Sequence, residues 1–245
     1  MLVDQSVLSR AQTLKWLKEL GSKPVAFSAY LAPLTSEEGV KKLLYSVLDR
    51  GGFLDGLSKK ASGSPTGAAV FYLQDEARVI LPPFPLAESG LHTGFEPAPL
   101  RQMLEHDWML GLVLVRLGHY AIGLFKGETL LEGKAGTGLV HSRHHKGGSS
   151  AQRFERHRAK QMEFFFTRIQ QHAREMLEPR LKEIDYIFYG GARDTLLRMW
   201  KQCRFFDGLA GKRVDRLLTV REARRSAFDE AIAQAYDCRL FTLGE

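Results

Sequence analysis

Two cysteines in 245 residues, Cys203 and Cys238, are too few for a disulfide framework, so a reducing compartment is expected. The chain also lacks any apolar run of about 18 residues, the length a membrane-spanning helix needs. The opening stretch, MLVDQSVLSRAQTLKWLKEL, has neither the continuous apolar segment nor the small-residue cleavage site of a secretory signal. It follows helix periodicity instead, and the cytoplasm is the expected location. No internal repeat or low-complexity segment is present. Acidic residues are scarce in one place: Glu155 is the single carboxylate in residues 141–161.

What remains is an ordinary globular composition, 44% hydrophobic and 26% charged. The length suits one large domain or two small ones. Six of the nine prolines fall between Pro65 and Pro99, so PPFPLAESGLHTGFEPAP reads as extended connecting chain. It divides the sequence into a small α/β domain over 1–99 and a second domain over 100–245.

In the first part, periodicity predicts a helix over 5–20, with Val7, Leu8, Ala11, Leu14, Leu17 and Leu20 on one side. A strand over Val25–Pro33 follows. A helix then opens at Ser36 and ends before Gly51-Gly52. Residues 58–67 read as a polar loop, and AAVFYLQ with ARVILP as a hairpin. In the second part, the short helix LRQMLEHD precedes three strands, WMLGLVLVRLG, HYAIGLFKG and ETLLEGKAGTGLVHS, with turns at Leu117-Gly118 and Lys126-Gly127. A long helix from Ser150 to Met176 carries Phe154, Met162, Phe165, Phe166, Ile169, Ala173 and Met176 as its apolar face. The rest reads as strand DYIFYGG, helix RDTLLRMWKQC, edge strand or loop VDRLLTV, and a last helix VREARRSAFDEAIAQAYD. The order βββ-α-β-α-β-α is that of a ribonuclease-H-like mixed sheet.

The net charge of +7 is unevenly spread. Residues 1–140 hold 14 basic and 14 acidic side chains. Residues 141–161 hold six basic residues, Arg143, Lys146, Arg153, Arg156, Arg158 and Lys160, against one acid. Residues 193–225 hold ten basic and four acidic residues. Such density is the footprint of a polyanion partner. A plain solvated helix face would need neither the four histidines (His141, His144, His145, His157) nor the Gly-Gly pair that share the first stretch.

That pair, Gly147-Gly148, follows a strand and precedes the long helix. Two glycines allow a backbone turn to approach another surface closely, and Ser149 or Ser150 suits a helix N-cap. Gln152 lies in the first turn. Arg153, Arg156 and Lys160 share one face at i, i+3, i+7, with Phe154 and Met162 expected to point inward. The segment reads as a glycine tip on a basic stalk.

GGSSAQRFERHRAKQ resembles the GGQ segment of eukaryotic and archaeal class-1 translation release factors, with Ser150, Ala151, Arg153, Phe154 and Arg156 at matching positions. Gly123-Leu124-Phe125 and DYIFYGGARDTLL resemble strands of the same domain. It is more similar still to bacterial release-factor-like relatives of the tRNA-acting factor of eukaryotic ribosome quality control. Their Gly-Gly-x-Ser-x-Gln-Arg-Phe is met by Gly147, Gly148, Ser150, Gln152, Arg153 and Phe154. The likeness spans residues 100–240. The N-terminal third follows in general form only and lacks a stop-codon-reading motif. In the release factors the glutamine directly follows the glycines; here Ser149 stands there and Gln152 comes four residues after Gly148.

The resemblance implies a ribosomal partner: entry into the peptidyl-transferase centre of the large subunit and hydrolysis of peptidyl-tRNA, with no membrane and no cofactor. It gives the catalytic tip to Gly147, Gly148, Ser150 and Gln152. RNA phosphates fall to Arg143, Lys146, Arg153, Arg156, Arg158 and Lys160. A glutamine amide is neither base nor nucleophile at neutral pH, so Gln152 would orient water or substrate. Two alternatives stay open. One is cleavage near the tRNA 3′ end through the 2′-hydroxyl, aided by His144, His145 or His157. The other is a non-catalytic ribosome- or RNA-binding module. A metal is not expected, because no cysteine or carboxylate cluster accompanies the histidines. Two-metal nuclease chemistry lacks its first-strand carboxylate in WMLGLVLV. Gly190-Gly191 has no phosphate-loop pattern after it. Phe164-Phe165-Phe166 and Trp200 are read as core, and Arg221, Arg224 and Arg225 as either a solvated face or an RNA contact.

Overall fold

A computed structural model describes residues 2–48, 51–140 and 149–244. The chain forms two compact units: Met1–His106 joined by Ala233–Glu245, and Asp107–Ile232.

In the first unit, β1 (Leu2–Leu8) precedes α1 (Arg10–Leu20). The predicted single helix over 5–20 is therefore a strand and a helix. The break is local chemistry: the Ser9 hydroxyl accepts from the Gln12 N–H while the Gln12 side chain accepts from the Ser9 N–H. This reciprocal cap sets the helix start at Arg10. Next come β2 (Phe27–Leu31), α2 (Glu37–Leu44) capped by Ser36, and α3 (Gly51–Ala61). The glycines expected to end a helix instead lie at the start of α3, which takes up part of the expected loop. The hairpin of β3 (Ala68–Leu73) and β4 (Glu76–Leu81) follows, then β5 (Gly90–Thr93) and α4 (Ala98–Glu105). β5 lies within the expected connecting stretch, because Gly90–Thr93 pair with Phe27–Tyr30 of β2.

The sheet of this unit is antiparallel throughout, β1-β11-β4-β3-β2-β5. Its β11 (Cys238–Gly244) is the last strand of the chain. Val40, Leu44, Leu54 and Leu57 of α2 and α3 pack against Ala29, Val70 and Val79 on one face. On the other face, Trp16 of α1 meets Phe71 edge-on at 6.0 Å. The expected boundary at residue 99 and the assignment of the C-terminus to the second domain are thus corrected. β11 hydrogen-bonds along the length of β4, Arg239–Gly244 against Glu76–Leu81, which returns the end of the chain to the first unit.

The second unit has the anticipated order of elements: β6 (Met109–Arg116), β7 (His119–Lys126), β8 (Thr129–Thr137), α5 (Ser149–Leu177), β9 (Tyr186–Gly191), α6 (Arg193–Gln202) and β10 (Arg213–Leu218). The sheet runs β10-β9-β6-β7-β8. β6, β7 and β8 are antiparallel neighbours, while β9 and β10 run parallel to β6. This is the ribonuclease-H-like strand order. The turns at Gly118 and Gly127 have φ of 85° and 58°, where glycine carries no steric penalty. The expected final helix shortens to α7 (Phe228–Ala235). Its first residue explains two glycines. Gly123 and Gly133 are cross-strand partners on β7 and β8, and a Cβ on either would strike the Phe228 ring, at 3.1 and 2.8 Å. Among the described residues no helix is long and apolar enough to cross a membrane.

Candidate RNA-facing site on the long helix

Helix α5 is buried against the sheet along its C-terminal half, from Met162 on, and exposed along its start. Met162, Phe165, Phe166, Ile169, Ala173, Met176 and Leu177 are buried with Val113, Val115, Tyr120, Ile122 and Leu124 of the sheet. The glycines leaving β8 let it sit that close. A Cβ on Gly138 would lie 2.5 Å from the Phe165 ring, and one on Gly136 2.3 Å from the Tyr120 hydroxyl.

Polar contacts fix the register of the helix against β7 and β8. The Tyr120 hydroxyl and His172 Nδ1 share a hydrogen bond of 2.5 Å. Arg168 Nη1 donates to the Thr137 carbonyl at 3.1 Å. Glu175 accepts from Lys134 Nζ and Gln171 Nε2, both at 2.9 Å. Burial raises the Tyr120 phenol above its ordinary range. Burial, then the Lys134 cation, lowers the His172 pKa. The bonds from Lys134 and then Gln171 hold the Glu175 carboxyl below its usual value. Tyr120, His172 and Glu175 have settled internal partners and read as anchorage for the helix, while Arg168 commits one N–H to the Thr137 carbonyl and its side chain is otherwise exposed.

From Gln152 to Lys160 no side chain is buried, and Arg158 alone is half-buried. These nine residues extend the helix by about 13 Å at 1.5 Å per residue. Gln152, Arg153, Arg156 and Lys160 are all exposed. Arg156 Nε reaches back to the Gln152 carbonyl oxygen at 3.4 Å, the i to i−4 distance along one helix face. Ser150 lies in the first turn of α5. Arg143, Lys146, Gly147 and Gly148, with His141, His144 and His145, lie outside the described residues.

Two aromatic positions differ from expectation. Phe154 continues the buried stripe by periodicity yet is 61% exposed, because the sheet's buried core engages α5 only from Met162 onward. Phe164, expected in the core with its neighbours, is 75% exposed, against 2% for Phe165 and 0% for Phe166. The 3.6-residue period carries that signal, since Met162, Phe165, Phe166 and Ile169 define a stripe that Phe164 does not share.

The second basic stretch is largely committed to structure. Arg225 Nη1 donates to the Gly133 carbonyl at 3.0 Å, and Arg224 pairs with Glu222 at 3.0 Å. Arg213 pairs with Asp215 and lies 5.0 Å from the centre of the Trp200 ring. Arg216 lies over Phe188. Trp200 is half-buried, edge-on to Tyr189 at 5.1 Å. Charge density alone does not mark which arginines are bonded to the frame, as Arg225 is to the Gly133 carbonyl.

The remaining candidates have structural explanations. Gly191 has φ of 112°, and a Cβ there would sit 2.1 Å from the Val115 carbonyl oxygen, so the Gly-Gly that ends β9 serves a close strand-to-helix turn. Cys203 is buried and its thiol donates to the Phe166 carbonyl at 3.4 Å. Burial pushes that thiol up to about 11, far from a reactive thiolate. Among the described residues no group of His, Cys, Asp and Glu is placed to hold a metal.

With this geometry in place, comparison with known proteins gives a consistent direction. Residues 109–240 match the model of the Actinobacteria/chloroflexi VLRF1 release factor family. Peptide chain release factor subunit 1 of Archaeoglobus fulgidus is 30% identical over 113 residues, covering 46% of this chain and 28% of that protein. Its counterpart from Aeropyrum pernix is 28% identical over 152 residues, covering 59% and 39%. The chain thus spans well under half the length of these curated relatives. Among solved structures, an archaeal translation termination factor, aRF1, aligns with 94% of this chain and 73% of its own, at TM-score 0.42 and 21% identity. The family match covers more than half of the chain and takes in the sheet and the long helix: this chain belongs to the Actinobacteria/chloroflexi VLRF1 release factor family.

Proposed function

We propose that the chain acts on the ribosome and promotes hydrolysis of peptidyl-tRNA on stalled complexes. The start of α5, together with the Gly147-Gly148 pair preceding it in sequence, would enter the peptidyl-transferase centre of the large subunit. The observation that carries this reading is the exposed, cation-bearing start of α5, held from behind by a buried core. A rigid helix places its first turn reproducibly at a distance from the body of the protein, and its exposed cations offset the phosphates it must pass.

Gln152 acts by position. Its amide orients a water against the ester carbonyl, and the helix N-terminus favours the charge that develops on the oxyanion. Ser150 shares that first turn. Arg153, Arg156 and Lys160 bind phosphates from one face, and Arg158, half-buried, does so from the other side of the helix. Arg143 and Lys146, which precede the glycines in sequence, add to the same positive charge.

The test is release of labelled peptide from a stalled ribosome–peptidyl-tRNA complex. The wild-type protein releases peptide and leaves the tRNA full length. Gln152→Ala lowers the rate by roughly 10- to 50-fold, the scale of a lost positioning contact, while ribosome binding stays unchanged. Wild-type-level release by Gln152→Ala removes Gln152 from the mechanism. A shortened tRNA on a denaturing gel replaces ester hydrolysis with tRNA cleavage. Salt-sensitive binding with intact peptidyl-tRNA leaves a binding module.

A further inference from the structure

Phe164 stands on the solvent side of α5 in a stripe of basic residues. Arg153, His157, Lys160, Phe164 and Arg168 recur at steps of four, three, four and four, which keeps them on one helix face. Around Phe164, positions i−7, i−4, i−3, i+3, i+4 and i+7 are His157, Lys160, Gln161, Thr167, Arg168 and Gln171. None is acidic and none is apolar. The ring contributes little to the core, being 75% exposed.

A phenyl ring set among cations meets both demands of an unpaired nucleotide: a face for the base and positive charge for the phosphates on either side. An apolar pocket on a protein partner would instead be matched by apolar neighbours around the ring, as at the core of protein interfaces. Lys160 and Arg168 lie about 12 Å apart along the helix axis, far enough to bracket a nucleotide seated on the ring between them.

We propose that Phe164 is a stacking platform for an unpaired base of the RNA that α5 approaches, with Lys160 and Arg168 neutralising the flanking phosphates. This rests on the ribosomal reading above and adds to it a base contact well back from the tip. It is a binding role, separate from the positioning assigned to Gln152.

The experiment measures affinity of the full chain for isolated large ribosomal subunits across a salt series. Phe164→Ala weakens binding by about 5- to 100-fold, the range for losing one stacked base, and leaves the dependence on log salt unchanged. Lys160→Ala lowers that slope by about one. Phe164→Trp retains binding, because a larger π face still stacks, whereas Phe164→Leu loses as much as Ala. Unchanged affinity in Phe164→Ala overturns the proposal and leaves the ribosomal reading standing. Rescue by Leu but not Trp also overturns it, in favour of an apolar protein pocket.

A second probe separates this proposal from the reading it rests on. A short single-stranded RNA is compared with an abasic strand of equal charge. The wild-type chain prefers the strand with bases, and Phe164→Ala abolishes the preference. An equal preference in both proteins overturns the stacking role, whatever the large subunits do.

Discussion

Reversing three charges, Arg153→Glu with Arg156→Glu and Lys160→Glu, will reduce affinity for ribosomes by about 10³-fold at low salt, and the slope of log affinity against log salt will fall by about three. The three side chains are exposed on helix α5 and Arg156 has one internal contact, to the Gln152 carbonyl at 3.4 Å. Each reversal removes one neutralised phosphate and sets a carboxylate beside it. The fold itself has little to lose. None of the three is buried, and carboxylates near a helix N-terminus interact favourably with its dipole. The denaturant midpoint therefore stays near wild type. Unchanged ribosome affinity in this variant would place the RNA-facing surface elsewhere.

Phe166→Ala will destabilise the second unit by about 3–5 kcal/mol, the usual cost of emptying a phenylalanine site in a packed core. Phe166 is 0% exposed, next to Phe165 with ring centres 5.7 Å apart, and its carbonyl accepts from the Cys203 thiol. Such a loss is a large fraction of the 5–15 kcal/mol typical of a whole domain. Phe164→Ala, two residues earlier, should move stability by no more than about 0.5 kcal/mol, as for other surface positions. The pair is read by the denaturant midpoint of the same transition. Similar costs at both sites would mean that the helix face has been assigned wrongly. The contrast also explains the stalk: a helix start can be exposed because the sheet holds the other half of the helix.

The sheet of the second unit was legible from β6 and β7, which are long and apolar, and from the turns at Gly118 and Gly127, which adopt the positive φ that such turns need. The long helix was legible from its apolar period. Most of what escaped is fixed by distant partners. β1 forms by pairing with β11 from the opposite end of the chain, and nothing local in VREARRSAFDEAIAQAYD or the residues after it announces that pairing. The split between β1 and α1 was written in Ser9 and Gln12, a capping pair that apolar counting overlooked. β5 is a short strand in proline-rich chain, recruited by β2. Within the candidate site, the basic stalk was visible as charge, but charge could not tell Arg156 from Arg225, which donates to the Gly133 carbonyl. Phe154 was misplaced because periodicity shows which side of a helix is apolar and not where the surface beneath it ends.

The central claim is that the start of α5 reaches the peptidyl-transferase centre. A photoreactive residue in place of Gln152, activated on a stalled ribosome–peptidyl-tRNA complex, tests it most directly. The predicted result is a crosslink to the rRNA of that centre and to the 3′ end of the tRNA, competed by unmodified protein. Crosslinks confined to ribosomal proteins at the subunit surface, with the complex fully bound, would contradict it.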